Sequence, residues 1–296
     1  MSTWLQGSLL PVETLPYLSD VACIGTHRCP ADHPAFRDSG PIRNMVFVFP
    51  RTSITIRHEE QKTAFVGSPN VITLYNRGQV YTRGAIDAAD DCDWYGVAPD
   101  VILDVARRYD ERAEEAAGRP FAAPFVASPL PLFLRQRRLF ERVMAGTVEP
   151  AAVDETLLGM LDQILRLTPG RHRPKRGHVR DPLPKIEHVK NVLARTLDRP
   201  LSLRALAATV ELSVYHLCRV FRRETGFAIH EYRQQLRLRR ALEEVLTSKD
   251  LLETALELGF NSHSHFTYAF RRTFGVTPSE LRRAGALPDG TARTRG

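Results

Sequence analysis

The chain has 296 residues, 43% of them hydrophobic and 25% charged, with a formal net charge of +7, and that length can bury two separate cores. Its four cysteines, at 23, 29, 92 and 218, are too scattered for the disulfide framework of a small secreted domain, so free thiols in a reducing compartment are expected. No apolar run approaches bilayer length, and the start MSTWLQGSLL lacks a basic n-region, which excludes a signal-peptide or membrane-span reading and leaves a soluble, cytoplasmic protein as the expectation.

From about 40 to 100 the apolar residues come in short runs, MVFVF (45–49), SITIR (53–57), VITLY (71–75), QVYTR (79–83) and WYGVA (94–98). Turn residues separate them, as at Ser68-Pro69-Asn70, Asn76-Arg77-Gly78 and Ala89-Asp90-Asp91, which predicts a small antiparallel barrel or sandwich. Phe47, Phe49, Ile54, Ile56, Leu74, Tyr75 and Trp94 would then give an apolar or aromatic interior, a candidate effector pocket. Between 130 and 168 the period becomes helical in PLFLRQRRLFERVMAG and VDETLLGMLDQILRL. In the second of these Leu157, Leu161, Ile164 and Leu165 form one stripe, which could pack on its own barrel or on a second subunit and is predicted to join two copies of the chain as a homodimer.

TPGRHRPKRGHVRDPLP follows, with four prolines, five Lys/Arg and one acid, and reads as an exposed linker over 169–184. Residues 185–283 read as short capped helices, and 284–296 as a disordered tail. Charge divides along the same lines. Residues 1–168 carry 17 Lys/Arg against 21 Asp/Glu, a balance of −4, whereas 169–283 carry 22 against 12, a balance of +10. A basic half of this kind predicts a polyanion as partner, and double-stranded DNA first.

The basic half repeats itself at an offset of 49: SVYHLCRVFRRETG begins at Ser213 and SHSHFTYAFRRTFG at Ser262. In each copy Ser is placed to cap the helix start and Gly its end, and a short apolar helix precedes, over 203–210 and 251–258. Short helix, tight turn and capped helix make a helix-turn-helix, here twice. Helical periodicity assigns Val214, Leu217 and Phe221, and Phe266, Ala269 and Phe270, to the buried stripe. The opposite faces carry Tyr215, Cys218, Arg219 and Arg222, then Ser264, Thr267, Tyr268 and Arg271. Those are the DNA-reading candidates, with Arg222, Arg223, Arg271 and Arg272 a turn further along and assigned to phosphates. His263 and His265 stand two apart, which on a helix turns them about 200° from each other and excludes joint metal chelation. His263 is placed to approach DNA, and His265 to face a neighbouring helix or a phosphate.

Over residues 185–283 the sequence resembles the AraC/XylS family of bacterial transcription regulators, on LSLRALAATVELSVYHLCRVFRRETGF, LRLRRALEEVL and ALELGFNSHSHFTYAFRRTFGVTPSELRR. The resemblance implies two helix-turn-helix units joined by a long helix at 229–246, with Leu238, Leu242, Val245 and Leu246 inward. It implies base contacts by Tyr215, Cys218 and Arg219 in the first unit and by His263, Ser264, Thr267 and Tyr268 in the second. RNMVFVFPRTSITIRH and VITLYNRGQVYTRG are similar to the cupin-like sensing domain of such regulators, so residues 1–168 are expected to be a cupin-like antiparallel barrel with a helical pair. The whole would be an α+β chain, a transcription regulator without a cofactor, activator or repressor according to operator position, meeting promoter or operator DNA, RNA polymerase and a small-molecule effector. Glu211 departs from the family's pattern, standing where a glycine is usual, as does Cys218, where longer polar side chains are common. The barrel stretch has no His-x-His strand pattern, so metal-dependent cupin chemistry has no support.

Two rival readings rest on other clusters. Cys23, His27, Cys29 and His33 in CIGTHRCPADH, with Cys92, would make a thiol- or metal-sensing regulator, although no C-x-x-C occurs. Asp90, Asp91 and Asp93 would serve an enzymatic barrel fused to a DNA-binding module, but they read as a solvated acidic loop with no nucleophile and base beside them.

Overall fold

The computed structural model describes residues 5, 7, 9–109, 119–168, 182–247 and 250–287. Most of the expected linker, 169–181, and the tail beyond 287 lie outside the described residues. The chain divides into two compact units, residues 1–184 and 185–296.

The first unit runs through β1 (Glu13–Leu18), β2 (Ala22–Pro30), β3 (Asp38–Ser39), β4 (Val46–Pro50), β5 (Ile54–His58), β6 (Phe65–Gly67), β7 (Val71–Tyr75), β8 (Tyr81–Ala85), β9 (Ala89–Val97), α1 (Pro99–Ala106), β10 (Phe125–Ala127), α2 (Leu130–Met144) and α3 (Pro150–Leu167). Among the described residues one sheet has six strands in the order β1-β2-β9-β4-β7-β10 and the other four in the order β3-β8-β5-β6. All pairings are antiparallel, as the short apolar runs and turn residues predicted.

Alternation decides what each strand of the larger sheet does, because successive side chains leave on opposite faces. Ala22, Ile24, Phe47, Phe49, Ile72, Leu74, Tyr95 and Val97 share one face and pack with Leu132 and Phe140 of α2 and Leu157, Leu161 and Ile164 of α3. Phe47 stacks on Tyr95 with ring centroids 5.4 Å apart. Two expectations are corrected here. Leu157, Leu161 and Ile164 are fully buried and Leu165 is 4% exposed within a single chain, so the stripe is monomer core rather than a dimer surface. The sheet's outer apolar face supplies the partner that the helix lacks when it is read alone. Phe47, Phe49 and Leu74 belong to this same core and not to the interior between the sheets.

The segment 89–91 is not a turn. It opens β9 and pairs with β2, Asp90 against Cys29 and Asp91 against Arg28. Asp90 and Asp93 are buried rather than solvated. Asp93 accepts from Arg28 at 3.1 Å, Arg51 at 2.9 Å and Gln136 at 2.9 Å, with Arg137 at 3.7 Å, and so ties β9 to α2. Asp90 accepts from Arg83 at 2.6 Å, and Arg83 also lies 2.7 Å from His27 Nε2 and donates to the Ala35 carbonyl and Ser39 Oγ. Buried charges persist only when paired and hydrogen-bonded in this way.

Leu161→Ala should cost about 2–5 kcal/mol by leaving a cavity between α3 and the sheet. Asp93→Ala should cost about 3–5 kcal/mol by stranding the arginines around it. Urea unfolding followed by circular dichroism checks both, and a Leu161 variant of unchanged midpoint would return that residue to the surface.

Candidate nucleic-acid interface

The second unit contains α4 (Leu183–Arg195), α5 (Leu203–Ala208), α6 (Val214–Thr225), α7 (Ile229–Thr247), α8 (Leu251–Glu257), α9 (His263–Phe274) and α10 (Pro278–Ala284). The duplicated capping signals fold as read. Ser213 Oγ accepts from His216 N and Ser262 Oγ from His265 N, each at 3.2 Å. Gly226 and Gly275 end the two helices at φ 80° and 83°, the left-handed region where a Cβ is costly. Thr277 and Glu280 close a capping box that starts α10.

Leu217 and Phe221 of α6, and Phe266, Ala269 and Phe270 of α9, are buried as periodicity predicted, while Val214 is 36% exposed and Val220 takes its place inside. Leu238, Leu242 and Val245 face inward along α7. The outward faces carry the predicted readers. Tyr215 is 77% exposed and Tyr268 66%, and Arg219, Arg222, Arg223, His263, Ser264, Arg271 and Arg272 are exposed. Arg223 pairs with Glu224 at 2.7 Å. Cys218 is half-withdrawn against the core of α4–α7, and Thr267 is partly buried with its hydroxyl in no hydrogen bond, so both sit deeper than their neighbours. His265 is exposed and sets its ring 5.6 Å from that of Phe260, in the turn before α9 rather than on a neighbouring helix.

The two turns differ in detail. Glu211 has φ 52°, the one left-handed residue other than glycine among those described, and its counterpart Gly259 has φ 74°. From that residue to the N-cap serine is two positions in the first unit and three in the second, Asn261 being the addition. A Cβ on Gly259 would run into the Leu197 carbonyl and the Arg237 guanidinium, whereas Glu211 is exposed. Glycine is therefore required in one turn and dispensable in the other.

Within the first unit, a cavity of about 400 Å³ meets a smaller one of about 80 Å³ along a shared wall of Glu13, His27, Ile42, Val46, Tyr81 and Trp94. Of the residues expected inside, Ile54, Ile56, Tyr75 and Trp94 line these cavities, and Phe47, Phe49 and Leu74 do not. Trp94 lies across Gly25, where a Cβ would fall inside the indole. Glu13 escaped the sequence reading, and His27 was weighed there only with the cysteines, because β1 and β2 were not predicted as strands and β2 is buried on both faces with no apolar–polar alternation to mark it. Cys23, Cys29 and Cys92 are buried and free, and burial pushes the Cys23 thiol up to about 12 and that of Cys92 well above its usual range. Among the described residues no cluster of three His, Cys, Asp or Glu could hold a metal ion, and no helix is long and apolar enough to cross a membrane.

Residues 206–284 match a family described as a helix-turn-helix domain. A solved transcriptional regulator of Chromobacterium violaceum, described as containing an AraC-type DNA-binding domain, is 33% identical over 36% of this chain and 95% of that one, with TM-score 0.33. The chain carries an AraC-type helix-turn-helix domain. The right origin-binding protein of Escherichia coli K12 is 40% identical over 89 residues, 30% of this chain and 31% of that protein. The HTH-type transcriptional regulator ArgR of Pseudomonas aeruginosa is 31% identical over 141 residues, 46% of this chain and 41% of that protein. The matched stretch thus spans less than half the length of these curated relatives. The AraC-type domain holds all eleven residues assigned to DNA from the sequence.

Glu211→Gly should raise the melting midpoint by the equivalent of about 0.5–1 kcal/mol, the left-handed penalty less the added freedom of the unfolded chain. Gly259→Ala should lower it by more than about 1 kcal/mol. Calorimetry of the two variants gives opposite signs on this account.

Proposed function

We propose that the chain is a sequence-specific transcription regulator that reads double-stranded DNA through α6 and α9 and is governed by a small molecule held between the sheets of its N-terminal unit. The observation that carries this reading is the pair of serine-capped helices, each with an apolar side in the core and an outward side of tyrosines, hydroxyls and arginines. Regulators of this kind set two such helices in successive major grooves, ~34 Å apart, so each copy would read an asymmetric site of two boxes. Where its operator lies beside a promoter the protein would meet RNA polymerase, as activator or repressor according to that position. A homodimer would use a surface other than the Leu157–Leu165 stripe, which the monomer already buries. The paired cavities lined by Ile54, Ile56, Tyr75 and Trp94 support an effector site with an apolar wall and a polar end at Glu13 and His27.

The two classes of arginine should fail differently. Arg219 is exposed in the second turn of α6, where its fork can take guanine O6 and N7. Arg219→Ala should cost about 1–3 kcal/mol on the cognate duplex and relax the preference at one base pair. Arg272→Ala should weaken all sequences alike and reduce the salt slope by about one unit. Binding to cognate and scrambled duplexes across a salt series decides between them, and a uniform loss for Arg219→Ala would make it a backbone contact. A fragment from residue 182 onward should still bind the operator, and a folded fragment that does not would overturn the modular reading.

A further inference from the structure

Inside the AraC-type domain, α5, α6, α7 and the turn before α9 enclose a cavity of about 450 Å³ that the reading of DNA leaves unused. Its floor is apolar, with Leu193, Leu206, Ile229 and Phe260 all buried. Its polar wall carries three cations, Arg222, Arg233 and Arg237, beside Ser202, His230, Gln234 and His265, and no carboxylate lines it. Arg233 gives one nitrogen, Nη2, to the carbonyls of Thr196, Leu197 and Arg199, while its buried Nε has no partner. Arg237 donates Nε to the Leu197 carbonyl at 2.9 Å and lies 5.9 Å from the Phe260 ring centroid. Asp198, whose charge both arginines feel, sits 3.6 Å from Arg199. Burial pulls both guanidiniums below their ordinary range, Arg237 to about 10 with Arg233 as a further cause. Partly buried like charges on one helix, with Asp198 outside the cavity lining and no carboxylate within it, are a standing cost that an anion would relieve.

We propose that this cavity binds a small organic anion, an apolar body ending in a carboxylate or similar oxyanion, and that its occupancy competes with DNA. The volume fits a small-molecule site, and the pairing of apolar floor with cationic rim selects an amphipathic anion over a neutral compound. A DNA phosphate would meet the rim and leave the floor empty. Competition follows from shared residues, because Cys218 and Arg222 belong to the outward side of α6 and His265 to the first turn of α9.

Cys218 supplies a local readout, since the other three cysteines are buried. On the native full chain, saturating biphenyl-4-carboxylate should slow alkylation of Cys218 by N-ethylmaleimide at least about fivefold, by occupancy of the unreacted state. Biphenyl-4-carboxamide should leave the rate unchanged. The carboxylate should also raise the apparent Kd for operator duplex about tenfold. Arg237→Met should abolish protection, and if that variant does not fold, Ala228→Trp, which fills the cavity, should do so. Equal protection by acid and amide would overturn the proposal, as would protection by the duplex with none by the carboxylate, which would make the groove a DNA contact only. Protection by the duplex tests the DNA reading separately from the anion site.

Discussion

Burial of both faces of the six-stranded sheet is the constraint on which the first unit depends. A sheet buried on one side only would leave either Phe47, Leu74 and Tyr95 or Val48, Tyr75 and Cys92 in water. The smaller sheet covers the second set and α2 with α3 covers the first, so the helical pair is part of the barrel's own core. Every inward and outward assignment in β4, β7 and β9 follows from that, since a slip of one residue would exchange the two faces.

The same arrangement explains the charged groups inside. Strands β2 and β9 are long, nine residues each, and their polar residues cannot all reach solvent. Asp93 points to the helical side and is met by arginines from β2, the β4–β5 turn and α2. Asp90 points between the sheets and is met by Arg83 from β8. One acid therefore fixes helix to sheet, and the other fixes sheet to sheet. Asp93 neighbours Trp94, which lines the cavity, so the strand that touches the proposed effector site also holds α2.

In the AraC-type domain the dominant effect is local. Serine caps, left-handed glycines and an apolar stripe specify each helix within a dozen residues, and these short-range interactions repeat in both units. The domain tolerates a left-handed glutamate in one turn because the side chain is in solvent, and requires glycine in the other because the backbone of residue 197 passes beside it. The arginines divide by position along α6 and α7. Those on the outward side of α6 are exposed, Arg222 also reaching the cavity rim, and those on α7 are drawn into the cavity wall by the carbonyls that follow α4.

The sequence by itself determined the two helix-turn-helix units, their caps, most of their outward residues and the antiparallel character of the first unit, because each rests on residues near one another in the chain or on a period of 2 or 3.6. It also excluded a shared metal at His263 and His265 for the same reason. Only the tertiary structure decided which partner covered an apolar stripe. Leu157, Leu161, Ile164 and Leu165 look alike whether they face a second copy or their own sheet, since periodicity gives a face and not its neighbour. It likewise decided that Asp90 and Asp93 are buried, because the arginines of Asp93 come from positions as distant as 28, 51 and 137, and Arg83, though seven residues from Asp90, meets it from the other sheet. Pairing across such separations sets burial and pocket membership, and no local pattern encodes it.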